Sequence, residues 1–239
     1  MSLAELTARS RLLWTSLAGV PVQFAARVSV AVAPQSRLGP AGWTALVTNA
    51  GAAIATAPDP ATAGTVEQAL AGLPAASVTD AAALAGRLDI AEMLGPATLA
   101  YLDAADFRRR RGPPVILAGP TDLDAFIEAV DPADRAESGI EEITSPAFAV
   151  WAGDRVSAAA GYRDWPGRTA HLSVLTGPWA RDRGLARAAA SAAVAHALAG
   201  GLLPQWRARS SASRHVALAL GFRELGAQAS LRLRAAGGG

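Results

Sequence analysis

Apolar and polar positions divide the chain into two stretches with different rhythms. Near the start, Leu3, Leu6, Leu12, Leu13 and Leu17 suit an amphipathic helix over residues 2–18. Residues 27–32 alternate and predict a strand. Residues 43–48 and 52–57 are short apolar runs separated by Asn49-Ala50-Gly51, which predicts a hairpin. Asp59-Pro60 starts a helix that runs to about Gly72, because Asp caps and Pro suits the first helical position. A second helix is predicted over 80–88, and a short third one begins at Pro96 and ends near Leu102.

The later stretch is cleaner. Residues 115–118 predict a strand, 121–130 a helix capped by Thr121, and 132–142 helical or irregular chain. Residues 147–152 and 156–162, joined through Gly153-Asp154, read as a hairpin, and Pro166-Gly167 makes the next turn. A strand at 169–176, an alanine-rich helix at 185–198, a strand at 203–209, a helix at 211–220 ended by Gly221, and a strand at 223–234 follow. Hairpins first, then strands alternating with helices, predict a mixed α/β sheet (α+β in the sense that some strands pair as hairpins).

Between the two stretches stands Arg108-Arg109-Arg110-Arg111-Gly112-Pro113-Pro114, a charge run followed by chain breakers. It reads as a linker. The expected organisation is a smaller N-terminal α/β domain at 1–112, a second domain at 113–235 and a flexible tail at 236–239. Nucleic-acid binding by the arginine run is a rival reading, but no aromatic interleaving or second basic cluster accompanies it.

Composition narrows the chemistry. The 239 residues are 51% hydrophobic and 18% charged, enough for a core and not the profile of a disordered chain. All 22 basic residues are Arg, so any cationic clamp must be guanidinium, while the net charge of +2 gives little drive toward nucleic acid. The chain has no Cys, which removes disulfides, thiolate metal sites and thiol nucleophiles. His171, His196 and His215 are too dispersed for a zinc motif, so no metal is expected. No apolar run is long enough to span a membrane. The run 12–26 imitates a signal-peptide core, but Glu5 precedes it and Pro21 and Gln23 interrupt it, so the cytoplasm is the expected compartment.

The stretch that carries chemistry is Leu172-Ser-Val-Leu-Thr-Gly-Pro-Trp-Ala-Arg181-Asp182-Arg183-Gly184-Leu185-Ala186, which leads into the alanine-rich helix. Strand, short loop and helix start together make an anion site, because the first N–H groups of a helix have no internal partner and sit at the positive end of its dipole. Gly184 removes a side chain where a phosphate must approach, and Ala186 keeps the next turn small. It is not a P-loop, since GxxxxGK[ST] is absent, and no GxGxxG follows a strand.

Arg181-x-x-Gly184-x-Ala186 resembles the signature of the GNAT superfamily of acyl-CoA-dependent N-acyltransferases, Arg/Gln-x-x-Gly-x-Gly/Ala. Downstream, Ser210-Ser-Ala-Ser213, followed by a helix ending in Leu220-Gly221-Phe222, is similar to the family's second motif, which begins Asn-x-x-Ser. The resemblance covers about 115–235. It implies that the family's fourth and fifth strands splay apart around the pantetheine of acetyl-CoA or another acyl-CoA. Backbone groups at Val174, Leu175 and Thr176 would then face the pantetheine. N–H groups from Arg181, Asp182, Arg183, Gly184, Leu185 and Ala186 would hold the pyrophosphate, and Ser213 would lie beside the coenzyme. An amine attacks the acyl carbonyl directly, with no covalent enzyme intermediate.

The sequence departs from the family at two places. Where many members carry a Glu base, this chain has Ala170-His171, so His171 is the candidate base, with Glu141 and Glu142 as reserves; an unperturbed ring predicts a rate rise near pH ~6.5. Where many carry a Tyr acid, this chain has Ala217, and Ser210 or Ser213 is the substitute candidate. Trp151, Tyr162, Trp165 and Trp179 are candidate pocket walls, and Asp164 a candidate attraction for a cationic amine. His196 and His215 read as structural. The expected reaction is acetyl transfer to the amine of a small molecule or peptide, and a homodimer is compatible with it. The alternative is a non-catalytic acyl-CoA-binding regulatory module. A chain beginning near Pro113 is expected still to bind CoA but to lose acceptor selectivity or solubility.

Overall fold

Ser2 starts the first helix through a capping box. Its hydroxyl accepts the Glu5 N–H at 3.2 Å, and the Glu5 carboxylate accepts the Ser2 N–H at 2.6 Å. Helix α1 (Leu3–Ala18) buries Leu6, Leu13, Trp14 and Leu17 and stops at left-handed Gly19. In the computed structural model, which describes residues 1–110 and 112–234, the chain continues through β1 (Val30–Val32), β2 (Thr44–Asn49), β3 (Ala52–Ala57), α2 (Pro60–Leu70), α3 (Ala81–Leu84) and β4 (Ile90–Tyr101). The turn between β2 and β3 has Ala50 at φ 47° and Gly51 at φ 76°, the left-handed pair that a two-residue hairpin needs. Asp59 caps α2 by accepting the Thr62 N–H.

Three expectations change in this stretch. The helix expected over 80–88 ends at Leu84, because Ala85 turns to extended backbone and Gly86 takes φ 75°. The helix expected at 96–102 is the end of the long strand β4. Gly95 supplies the reason: a Cβ there would stand 2.7 Å from the Gln228 carbonyl, so the missing side chain marks a close approach between backbones. The strand expected at 27–32 forms only over Val30–Val32.

The rest of the chain forms β5 (Val115–Ala118), α4 (Pro120–Glu128), α5 (Pro132–Ser138), β6 (Ala147–Ala152), β7 (Arg155–Trp165), β8 (Thr169–Thr176), α6 (Leu185–Ala199), β9 (Leu203–Ala208), α7 (Ser211–Ala219) and β10 (Arg223–Leu233). Thr121 does not cap α4. Pro120 already occupies the first turn, and Gly119 stands at the cap position without a side-chain bond.

The chain packs as two compact units that do not part at one point. The N-terminal unit holds residues 2–100, 208–210 and 224 onward; the other holds Met1, 101–207 and 211–223. In the N-terminal unit the strand order is β1-β3-β2-β10-β4, with β1 parallel to β3 and β2 antiparallel to both its neighbours. The other unit has the order β9-β8-β7-β6-β5, antiparallel except for β8 beside β9. The alanine content of α6 has a use here: Ala188, Ala189, Ala190, Ala193 and Ala197 are all buried, and small side chains let the helix lie close on β7.

The arginine run is tied to this second unit. The Arg108 N–H donates to the Leu220 carbonyl at 2.9 Å and the Arg110 N–H to Ser191 Oγ at 2.8 Å, while the side chains of 108–110 are exposed. Arg111 and the tail at 236–239 lie outside the described residues. No helix among the described residues is long and apolar enough to cross a membrane.

Candidate active site

Strand β8 is paired with β7 along its whole length, from Thr169↔Trp165 to Thr176↔Ala158. With β9 it pairs for three residues only: Thr169↔Leu203, Ala170↔Pro204 and His171↔Gln205. Beyond that point the ladder stops, and the β9-facing edge of β8 from Leu172 to Thr176 is released. Val174, Leu175 and Thr176 lie on this edge. The Leu175 side chain is committed to a core with Phe126 and Val156, so backbone is what Leu175 has left to offer.

The released edge runs straight into the loop. Pro178–Ala180 makes one tight turn, Arg181 is extended, Asp182 is left-handed at φ 61°, and Gly184 is left-handed at φ 72° immediately before α6. No side chain caps α6, so the leading N–H groups of this 15-residue helix have no partner from a cap. Leu185 is buried and anchors the helix start, and Ala186 is half-buried. A Cβ built on Gly184 meets nothing within 4 Å: the space above the loop is open. Arg181 is engaged by Asp134 at 2.5 Å, while Arg183 is exposed.

His171 stands at the fork where β8 and β9 separate. Its Nδ1 is 2.5 Å from Gln205 Oε1, and its ring stacks on Trp165 at 3.9 Å and 10°. Burial lowers the ring's pKa to about 3; the charges of Arg207 and Arg163 push the same way, and the Gln205 bond opposes them. The ring is therefore neutral across the neutral range, and the rate rise expected near pH ~6.5 is withdrawn because the ring is not in a water-like environment. The sign for stability follows. The unfolded ring binds a proton below pH ~6.5 and the folded ring does not, so stability drains away as pH falls from there toward 3. Each unit of displacement is worth about 1.4 kcal/mol, and the total loss is expected to reach a few kcal/mol. Urea unfolding at pH 7 and pH 4.5 on wild type and His171→Gln checks this: the acid loss should shrink in the variant, and equal losses would refute it.

Comparison with known proteins shows what this arrangement is similar to. The family model for GNAT acetyltransferase matches residues 148–227, which run from β6 through the fork, the loop and α6 into β10. The match covers about a third of the chain, so the similarity to GNAT acetyltransferases lies within residues 148–227. A GCN5-related N-acetyltransferase-like protein from Streptococcus suis 89/1591 shares the fold, with a TM-score of 0.51 at 16% identity over 98% of this chain and 100% of that one. A GNAT-family protein from Novosphingobium aromaticivorans DSM 12444 aligns at 24% identity and a TM-score of 0.49, over 59% of this chain and 65% of its own length. The Salmonella typhimurium protein yncA, solved with its cofactor acetyl-CoA, aligns at 19% identity and a TM-score of 0.39, over 54% of this chain and 99% of that one. A search of curated proteins finds no match.

Around this region the other candidates are dispersed. Ser213 Oγ accepts the Trp206 indole N–H at 2.9 Å. Trp206 follows Gln205 on β9, and successive strand residues face opposite ways, so Ser213 and His171 lie toward opposite faces of the strand. Ser210 is exposed, and Ala217 is buried at 2% exposure with no group to donate. Glu142 pairs with Arg163 at 2.5 Å and Glu141 lies 4.0 Å from Arg135. Asp164 is exposed, and its N–H donates to Thr144. His196 Nδ1 bonds the Tyr162 hydroxyl at 2.8 Å; His215 is exposed on α7. Trp151 and Trp179 do line a groove, of about 130 Å³, with Phe126, Asp122 and Arg155, whose guanidinium lies 3.6 Å from the Trp179 ring centre. Sequence reasoning missed Gln205 and the stacking role of Trp165. The available signal for Gln205 was one uncharged polar residue inside the run Leu203-Pro-Gln-Trp.

Proposed function

We propose that the protein moves an acetyl or other short acyl group from acyl-CoA to a primary amine by direct attack. The observation that carries this reading is the early separation of β8 from β9, with the freed edge leading directly to the Gly184 loop at the start of α6. The backbone of Val174, Leu175 and Thr176 would bond the pantetheine amides and orient the thioester. The N–H groups from Arg181 to Ala186 would receive the pyrophosphate. Acyl-CoA supplies the activated carbonyl; the chain's own task is positioning and proton handling. A neutral His171 of such low basicity is suited to orienting the amine, or a water beside it, through a hydrogen bond. Ser210, Ser213 or water would return a proton to the leaving thiolate, since Ala217 cannot. The expected acceptor is an amine-bearing small molecule or peptide in the cytoplasm, with no metal required.

The test is release of free CoA thiol from acetyl-CoA across a panel of primary amines. Binding of CoA without release on any amine would favour a non-catalytic acyl-CoA-binding module, a reading to which the buried Ala217 and the weak base lend support. For a turned-over amine, His171→Ala should lower kcat by ~10–100-fold, with CoA affinity unchanged by calorimetry. Unchanged kcat at saturating amine removes His171 from the mechanism.

A further inference from the structure

The last pair of the β8–β9 ladder is made of two polar residues, and both are constrained. Gln205 is 0% exposed in a strand whose neighbours Leu203 and Trp206 are buried apolar groups. Its Oε1 sits 2.5 Å from His171 Nδ1. An amide oxygen can only accept, so this contact places the ring proton on Nδ1 and leaves Nε2 with the lone pair. Gln205 Nε2 is also buried, and among the described residues no group accepts from it. A buried donor left unmatched is destabilising, and a Leu of similar size would avoid that penalty. The Trp165 ring stacks on the imidazole and so favours this ring plane.

We propose that Gln205 is a positioning residue for His171: its side-chain carbonyl holds the ring in the Nδ1–H tautomer, which makes Nε2 the acceptor nitrogen, and its buried amide hydrogens are left for an oxygen of the bound molecule. The assignment rests on the acyltransferase reading only for the identity of that molecule. The charges that face the ring are Arg207 on β9 and Arg163 on β7, the latter paired with Glu142 of the segment before β6. Both guanidiniums disfavour the imidazolium, so the ring is neutral and the Gln205 contact selects between its two tautomers.

The experiment is long-range proton–nitrogen correlation NMR on the full chain labelled with ¹⁵N-histidine, with the His171 signals assigned by their loss in His171→Asn. In wild type the expected pattern is a pyrrole-like Nδ1 and a pyridine-like Nε2, unchanged between pH 8 and pH 5. Gln205→Leu should release the ring to a tautomer mixture. Gln205→Glu should keep Nδ1–H but raise the ring's pKa, so that protonation appears inside this pH range. A wild-type ring that carries its proton on Nε2, as a reversed amide would require, overturns the proposal without any variant. So does an unchanged tautomer in a folded Gln205→Leu protein. Where an amine is turned over, Gln205→Leu should lower kcat more than it raises KM, and Gln205→Glu should move the acid limb of the rate profile upward. Calorimetric titration of CoA into the same samples separates the two readings: failure to bind CoA removes the acyltransferase assignment and leaves the tautomer result standing.

Discussion

Gly184→Asp should leave the protein folded and raise the dissociation constant for CoA by at least ~100-fold, about 2.7 kcal/mol. The structure makes the two halves of this expectation separable. A side chain at Gly184 meets nothing within 4 Å, so no protein atom has to move. The backbone there sits at φ 72°, which is strained for any residue with a Cβ, although Asp is among those that tolerate the left-handed region best. That strain is about 1 kcal/mol and should appear as a small fall in Tm. Binding suffers more, because the new carboxylate occupies the open space where a pyrophosphate would meet the helix N–H groups, and it repels that anion. Arg183→Ala should weaken binding far less, by roughly 1 kcal/mol, because the guanidinium is exposed and screened, and the loss should grow at low ionic strength. Arg181 is a poorer probe, since Asp134 already engages its charge. Calorimetric titration of CoA into wild type and both variants decides the matter. Wild-type affinity in a folded Gly184→Asp protein would remove the loop from the coenzyme site.

The parts of this molecule that could be read in advance are those fixed by local chemistry. Ser2, Asp59 and the Asn49-Ala50-Gly51 turn act through neighbours a few residues away, and each forms where its sequence places it. The strand Thr169–Thr176 and the helix after Gly184 were legible for the same reason, and with them the region of the loop. The most consequential failures involve partners distant in sequence. Gly95-Pro96 looks locally like a helix start, and only the approach of Gln228 explains a strand there. Gln205 gains its importance from His171, 34 residues away, and nothing in either local sequence announces the bond. The basicity of His171 could not be read at all, because it is set by burial and by guanidiniums on two other strands.

The same long-range pairing reverses the expectation that a shortened protein still binds CoA. A chain beginning at Pro113 keeps the GNAT motifs, yet it should fail to fold. In the full chain β10 lies between β2 and β4, and both of those strands would be missing. The contact with β2 is intimate: Gln228 to Leu231 pair with Val47 to Thr44, and the Ala227 N–H donates to Thr48 Oγ1 at 2.8 Å. Gly226 is so close to Thr48 that an added Cβ would stand 1.9 Å from its carbonyl oxygen. Leu231 is fully buried in a core with Leu46 and Val66, which the shortened chain also lacks. An 11-residue strand with both edges unpaired and its apolar face uncovered is an aggregation template. The remaining unit loses support as well, since the Leu102 N–H to Pro204 carbonyl bond, the Arg108 N–H to Leu220 carbonyl bond and the Asp106–Arg223 ion pair all cross the cut. Residues 113–239 should therefore be insoluble or elute as aggregate in size-exclusion chromatography, with no cooperative melt by circular dichroism and no calorimetric response to CoA. Co-expression with residues 1–112 should restore solubility if β10 can find its partners in trans. A soluble monomer of 113–239 that binds CoA as tightly as the full chain would show that the β2 and β4 partners of β10 are dispensable to CoA binding.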